Sequence, residues 1–267
     1  MDPRNLLDRA GLPPEGRVER LTGGDTGRVW RLGRYVVKTH PNPPPGLFPT
    51  EARGLWALAG AGMRVPRVRW VGEEGLVLDY LPPGPDDWAA LARMIARLHA
   101  STVPDYGADD PVFLGRFALP AGRSADGSEF WVHKRIWPLL DAVRARLGEL
   151  AGTVERFVLD FDWPVEGPVL IHGDLWHGNV RMGAEGPALI DPSTWHGERA
   201  VDLAMMQLFD GFPEAFWAAY EAVRPVPPEV REALPAYQLY FLLAHVLFFG
   251  GEYVGGVRRV LQRYGYL

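Results

Sequence analysis

Strand-like alternation is concentrated before residue 81, and helical periodicity takes over after it. This segregation limits the fold more than any other feature. Strands in one block and helices in another argue for α+β packing in two lobes, since a doubly wound sheet needs the two to alternate. The stretches "GRVERLTGG", "RVWRLG" and "RYVVKTH" predict a meander of three short antiparallel strands. A proline-rich loop, "PNPPPG", leads into a helix over "FPTEARGLWALAGAG", with Thr50 as the expected cap. "PRVRWVG" and "GLVLDYL" then form a hairpin around two glutamates.

"PPGPDD" breaks the strand pattern, which puts the domain boundary between an N-lobe of residues 1–81 and a C-lobe of residues 82–267. "DDWAALARMIARLHAS" predicts a capped amphipathic helix, and residues 107–128 read as irregular. "EFWVHKRIWPLLDAVRARLGEL" predicts a helix bent or restarted near Pro138. "PVLIHGD" is a short strand running into a polar loop. "NVRM" and "ALID" pair around "GAEGP", and helix is expected from "ERAVDLAMMQLF" to the end. The expected fold is bilobal, with a small antiparallel β N-lobe holding one helix and a larger, mainly helical C-lobe. A cleft between such lobes is where a ligand sits.

Composition removes several functions. A net charge of −5 offers no broad attraction to nucleic acid or anionic membrane. The absence of cysteine excludes disulfides, thiolate catalysis and thiolate metal sites. The N-terminal "MDPRNLLDRAG" lacks the pattern of a signal peptide. The most apolar stretch, "AYQLYFLLAHVLFFGG", is interrupted by Gln238 and His245 and reads as a buried helix too short to span a bilayer. A soluble, cytoplasmic protein is expected by elimination. Only two of the 28 basic residues, Lys38 and Lys134, are lysine, so each lysine invites a reason that arginine would not serve.

The loop "HGDLWHGN" places His172, Asp174, Leu175 and Asn179 at the spacing of the protein-kinase catalytic loop H-R-D-L-x-x-x-N, with Gly173 in place of the arginine. In that pattern the Asp accepts the proton of the acceptor hydroxyl and the Asn binds Mg²⁺. Asp191 closes the strand "ALID" where the kinase D-F-G would lie, and Pro192 stands in place of the Phe. One amide and one carboxylate, completed by the phosphates of ATP, suit Mg²⁺. Lys38 closes the third predicted strand and Glu51 opens the next helix, as a phosphate-orienting ion pair requires. "TGGDTG" offers Gly23 and Gly24 as a phosphate cover, and "LVLDYLPPG" is the expected hinge, with the Asp79 carbonyl and Leu81 amide facing adenine. Singly, each of these residues has an ordinary structural reading as a turn, a solvated strand end or a hairpin. Their joint occurrence in order is the signal. His172 is read as structural. Asp202 is read as structural too, needing amide donors from the catalytic loop. His99 and His245 are read as a helix-dipole position and a core-polar position.

The segments "LIHGDLWHGNV", "LIDPSTWHGERAVDLAMMQLFDGFP" and "YQLYFLLAHVLFFGGEYVGG" resemble the fructosamine (ketosamine) kinase family, a branch of the aminoglycoside-phosphotransferase-like kinases. The resemblance covers nearly the whole chain, and Trp176 with the two later segments favours the ketosamine kinases within the superfamily. It implies ATP- and Mg²⁺-dependent phosphorylation of a ketosamine sugar hydroxyl, typically at O3, leading to deglycation. By position, Asp174 would be the base, Asn179 and Asp191 the Mg²⁺ ligands, Lys38 the phosphate contact and Glu51 its partner. Trp176, His177, and His133 and Arg135 of "FWVHKR" are candidates for the sugar pocket. The implied partner is a small-molecule or protein-bound ketosamine, with no nucleic acid or membrane, and the chain a monomer or homodimer. His196 stands where the family usually has Tyr, and Gly197-Glu198 where it usually has Gly-His, which bears on acceptor choice if these positions touch substrate. Rival readings are a phosphotransferase for an aminoglycoside or amino-alcohol, and a non-catalytic pseudokinase.

Overall fold

A computed structural model describes residues 2–13, 16–21 and 27–267. The N-lobe contains α1 (Arg4–Arg9), β1 (Val18–Leu21), β2 (Arg28–Leu32), β3 (Tyr35–Thr39), α2 (Leu47–Gly60), β4 (Val68–Gly72) and β5 (Gly75–Asp79). Its five strands form an antiparallel sheet in the order β1-β2-β3-β5-β4. The period of two along β3 explains how the sheet is covered. Tyr35 and Val37 pack with Leu6 and Leu7 of α1, a short helix the sequence pattern did not reveal. On the other face, Val36, Leu76 and Leu78 meet Phe48, Ala52 and Leu55 of α2. Lys38 follows Val36 by two residues and so emerges on the α2 side.

Thr50 does not cap α2. The helix starts at Leu47 after Gly46, whose φ of 82° suits a residue without Cβ. The Thr50 amide already donates to the Gly46 carbonyl at 2.9 Å. Its hydroxyl instead donates to the Pro111 carbonyl at 3.5 Å, a contact between the lobes.

The C-lobe comprises α3 (Trp88–Leu98), β6 (Tyr106–Ala108), β7 (Val112–Leu114), β8 (Phe117–Leu119), β9 (Gly122–Ser124), α4 (Gly127–Trp131), α5 (Trp137–Leu147), α6 (Leu150–Asp160), β10 (Val169–Ile171), β11 (Val180–Gly183), β12 (Gly186–Leu189), β13 (Trp195–Gly197), α7 (Arg199–Leu208), α8 (Glu214–Val223), α9 (Pro228–Phe249) and α10 (Val254–Arg263). Asp87 caps α3 by accepting from the Ala90 amide at 2.8 Å. Residues 107–128 are more regular than expected. Their three-residue strands are too short to display alternation, and β6 and β9 are fixed by a distant partner in the sheet β10-β13-β6-β9. The expected irregularity near Pro138 is a π-helical segment, Val132–Ile136, that feeds α5.

α9 runs for 22 residues, longer than its apolar core suggested, and is long and apolar enough by length and composition to cross a bilayer. Here it serves as the spine of the lobe, with Leu239, Tyr240, Phe241 and Leu243 fully buried. The lobes are also tied along the rear. The Leu189 amide donates to the Arg64 carbonyl at 2.9 Å, and just past the boundary the Gly84 amide pins the connector by donating to the Met182 carbonyl at 2.9 Å. The Arg64 guanidinium reaches the Gly186 carbonyl at 2.8 Å.

Candidate active site

β10 delivers the chain to His172, and the loop that follows is held from behind by one carboxylate. Asp202, in the first turn of α7 and fully buried, accepts from the amides of His172 and Gly173, both at 2.8 Å. His99 adds a third contact, Nε2 to Asp202 at 3.2 Å, while the Tyr220 hydroxyl meets its Nδ1 at 2.8 Å. His99 thus stands at the C-cap of α3, the helix end expected for it, and is also a member of a buried polar chain. His172 bridges two parts of the site: its Nε2 donates to the Ile190 carbonyl at 2.9 Å and its Nδ1 accepts from the Asp174 amide at 3.3 Å. Burial lowers its pKa, in keeping with a neutral, structural ring. Gly173 has a φ of 80°, and a Cβ there would lie 2.0 Å from the Ser193 carbonyl oxygen. No arginine could occupy this position, which explains the departure from H-R-D.

Asn179 donates its amide to the Asp174 backbone carbonyl at 2.8 Å and to the Asp174 carboxylate at 3.2 Å. With the N–H groups committed to Asp174, Oδ1 is the atom suited to a cation. Asp191 has a φ of 55°, an uncommon conformation for a residue with a side chain. Its Oδ1 meets the Lys38 ammonium at 2.6 Å, and Glu51 meets the same ammonium at 2.5 Å. Burial alone would lower the Lys38 pKa, but the carboxylates of Asp191 and Glu51 outweigh it and hold the ammonium above its usual range. Asp174 shifts the opposite way for a carboxyl. Removal from water, reinforced by the nearby Asp191 charge and opposed by the Asn179 amide, pushes it up to about 7.

Among the described residues, no three His, Asp or Glu side chains converge on a metal position. Asn179 and Asp191 offer hard oxygen donors but no closed cage. That fits a Mg²⁺ whose remaining ligands are phosphate oxygens and water, and does not fit a resident structural ion.

All five residues face one cleft of about 1050 Å³. Asp79 and Leu81 line it at the hinge, where the Asp79 carboxylate is taken by Arg69 at 2.7 and 2.9 Å. Trp176 and His177 line it beside Asp174, stacked edge to face at 5.0 Å. Gly23 and Gly24 lie outside the described residues.

His133 and Arg135 do not line the cleft. His133 is exposed on the π-helical segment and packs against Trp137 at 4.9 Å. Arg135 is fully buried, sandwiched between Phe130 at 4.5 Å and Trp195 at 4.4 Å, and donates to the Pro120 carbonyl at 3.1 Å. Burial depresses its guanidinium to about 10, still cationic at neutral pH. Both are candidates through the family resemblance of "FWVHKR", and the structure puts that segment on a π-helical turn away from the cleft. The family departures also lie off the cleft. Glu198 accepts from the Tyr106 hydroxyl and from the amides of Glu166 and Gly167, and His196 meets the Arg123 guanidinium at 2.9 Å.

The structure adds a wall that the sequence reading missed. Met205, Phe209, Phe241, His245, Phe248, Phe249 and Tyr253 line the cleft opposite the N-lobe. His245 is packed by Phe209 and Tyr253, both at 4.8 Å, and by Phe249 at 5.3 Å, while its Nδ1 donates to the Phe241 carbonyl at 2.7 Å. The signal was the spacing of Phe241, His245 and Phe248 on one helix face, but from Leu239 to Phe249 α9 is apolar on every side apart from His245.

The fructosamine kinase family model matches residues 14–265. The chain belongs to the fructosamine kinase family. It is 56% identical over 262 residues to a "probable ketoamine kinase" of Thermus thermophilus, covering 98% of this chain and 99% of the relative. An Escherichia coli relative with the same description is 34% identical over 271 residues, covering 93% of this chain and 94% of its own. A fructosamine-3-kinase candidate solved from Thermobifida fusca superposes with a TM-score of 0.85 at 28% identity, covering 98% of both chains. An aminoglycoside phosphotransferase solved with ADP and hygromycin B shares the fold alone, with a TM-score of 0.65 at 15% identity and 99% of both chains covered. This fructosamine kinase family member is thus a phosphotransferase of the protein-kinase-like fold.

Proposed function

We propose that this chain uses ATP and Mg²⁺ to phosphorylate a sugar hydroxyl, at O3, of a fructosamine- or ribulosamine-type ketosamine in the cytoplasm. The observation that carries this reading is the asymmetry of the cleft. One side gathers Lys38, Glu51 and Asp191. Among the described residues, the wall from Met205 to Tyr253 supplies aromatic rings and His245 and no carboxylate, leaving Asp174 as the acid beside it. Flat apolar faces with a few polar groups suit a sugar. A polycationic aminoglycoside would call for an acidic wall.

The nucleotide would lie against the lobe of residues 1–81, with adenine at Asp79 and Leu81, and the acceptor against residues 82–267. Lys38, fixed by Glu51, would orient the phosphates, and the Asn179 and Asp191 oxygens would hold Mg²⁺, which supplies neutralising charge to the phosphates when bound. Asp174 would take the proton of the acceptor hydroxyl as its oxygen bonds the γ-phosphorus and the bond to the ADP oxygen breaks. Its raised pKa suits this task near neutrality. Enolisation of the product toward the amine-bearing carbon, loss of the O3 phosphate and hydrolysis of the resulting imine would then free the amine.

The direct test is ATP-dependent phosphate transfer to fructosamine and ribulosamine adducts beside an aminoglycoside and an amino-alcohol. Transfer to the aminoglycoside alone, or ATP binding without any transfer, would sink the reading. Lys38→Ala should raise the KM for ATP and cut kcat by at least about 10²-fold, while the acceptor KM stays nearly constant. On the acceptor side, His245→Ala should raise the ketosamine KM by roughly 10-fold, whereas His133→Ala should leave it unchanged. Steady-state kinetics with each substrate varied in turn separates these outcomes.

A further inference from the structure

Gly54 sits in the middle of α2, where glycine is a poor helix former. It lies three residues after Glu51, hence on nearly the same helix face. That face is pressed against the chain just beyond Asp191. A Cβ on Gly54 would lie 2.7 Å from the Thr194 hydroxyl oxygen and 3.1 Å from Cγ of Pro192. Where a D-F-G sequence would put a mobile Phe beneath this helix, a rigid Pro192 meets a bare backbone. Two further contacts dock the same turn onto the C-lobe: the Thr50 hydroxyl on the Pro111 carbonyl and Arg53 with Asp110 at 3.4 Å.

We propose that Gly54 is a positioning residue, whose missing side chain lets α2 approach the Pro192–Thr194 segment closely enough for Glu51 and Asp191 to share the Lys38 ammonium. The two carboxylates, at 2.5 and 2.6 Å from the Lys38 ammonium, come from opposite lobes, so the helix-to-loop distance sets whether both pairs can form. A methyl group at position 54 pushes the helix outward, Glu51 withdraws, and Lys38 turns toward Asp191 alone. The inference rests on the nucleotide half of the proposed function and makes no use of the acceptor.

The test is ATP binding by titration calorimetry, with and without Mg²⁺ and without acceptor, followed by kinetics. Gly54→Ala is expected to weaken ATP binding by at least about 10-fold and to lower kcat with little change in the ketosamine KM. Thr194→Ala alone is expected to stay within about two-fold of wild type, since it removes the closest clash partner and no site residue. The double variant should recover most of the lost affinity, an outcome that general destabilisation of α2 would not produce. Thr194→Leu, which enlarges the contact from the other side, should reproduce the binding loss and serves where Gly54→Ala does not fold. Wild-type affinity in Gly54→Ala or Thr194→Leu, or a double variant as impaired as the single, overturns the proposal. A wild type that binds ATP but phosphorylates no ketosamine would refute the acceptor assignment and leave this contact standing.

Discussion

Asp174→Asn is expected to lower kcat by roughly 10²–10⁴-fold, the range for losing a general base, and at the same time to make the protein more stable at pH 8. The second effect follows from the raised pKa. The Asp174 carboxyl titrates near 7 in the fold against an ordinary value of 3.8. Between those values the folded state binds more protons than the unfolded one. Stability is therefore lost as pH rises from about 4 to 7, and the full penalty holds above 7. Asparagine carries no such penalty. Because the carboxylate is partly open to the cleft, the gain is discounted to about 2 kcal/mol, or roughly 5 °C in Tm at pH 8, and it should vanish by pH 4. In the wild type the acid limb of kcat/KM should fall near pH 7. The limb of kcat should lie lower, because cations bound beside Asp191 offset its charge. Melting curves at the two pH values and a pH–rate profile check both statements.

Asp202→Ala should do the reverse, losing stability first and activity as a consequence. Its carboxylate satisfies two buried amides and His99, and truncation leaves all three donors without an acceptor. Such a loss costs about 3–5 kcal/mol, or roughly 10 °C in Tm. Surviving folded protein should show a reduced kcat, since the loop bearing Asp174 loses its hold on α7 and keeps only the contacts made through His172 and Asn179. Asp202→Asn keeps one acceptor oxygen and should fall between the two. Thermal denaturation and kinetics on the three proteins rank them.

Much of this arrangement was legible in the chain because it depends on order and spacing. Lys38 at a strand end, Glu51 in the next helix, Asp174 and Asn179 five apart and Asp191 after a short strand need only local geometry to be recognised, and the structure brings them to one cleft. The demand of Asp202 for amide donors was also readable, since a carboxylate on an apolar helix face must find partners. What stayed hidden depends on distant partners. His99 acquires its role from Tyr220 and Asp202, both more than a hundred residues away in sequence. The β6 and β9 strands exist because β13 reaches back to them, and three residues carry too little pattern to announce it. Arg135 is suggested by the family resemblance of its segment and lies buried between two rings, and His245, like Gln238, reads equally well as a polar position in a buried helix.

The rear ties between Arg64, Gly84 and the β11–β12 hairpin carry a consequence for how the molecule tolerates change. The N-lobe is fastened by hydrogen bonds from residue 64 to residues 186 and 189, and the connecting backbone is itself pinned to the hairpin by the Gly84 amide on the Met182 carbonyl. The connector is not a free tether: Pro83 bridges to Gly183, and a Cβ on Gly84 would lie 2.3 Å from the Gly183 carbonyl carbon, so a change there disturbs the same hairpin that Arg64 holds. Evolutionary drift in the connector is thereby constrained together with drift at Arg64, and either would be felt at the mouth of the cleft through one hairpin.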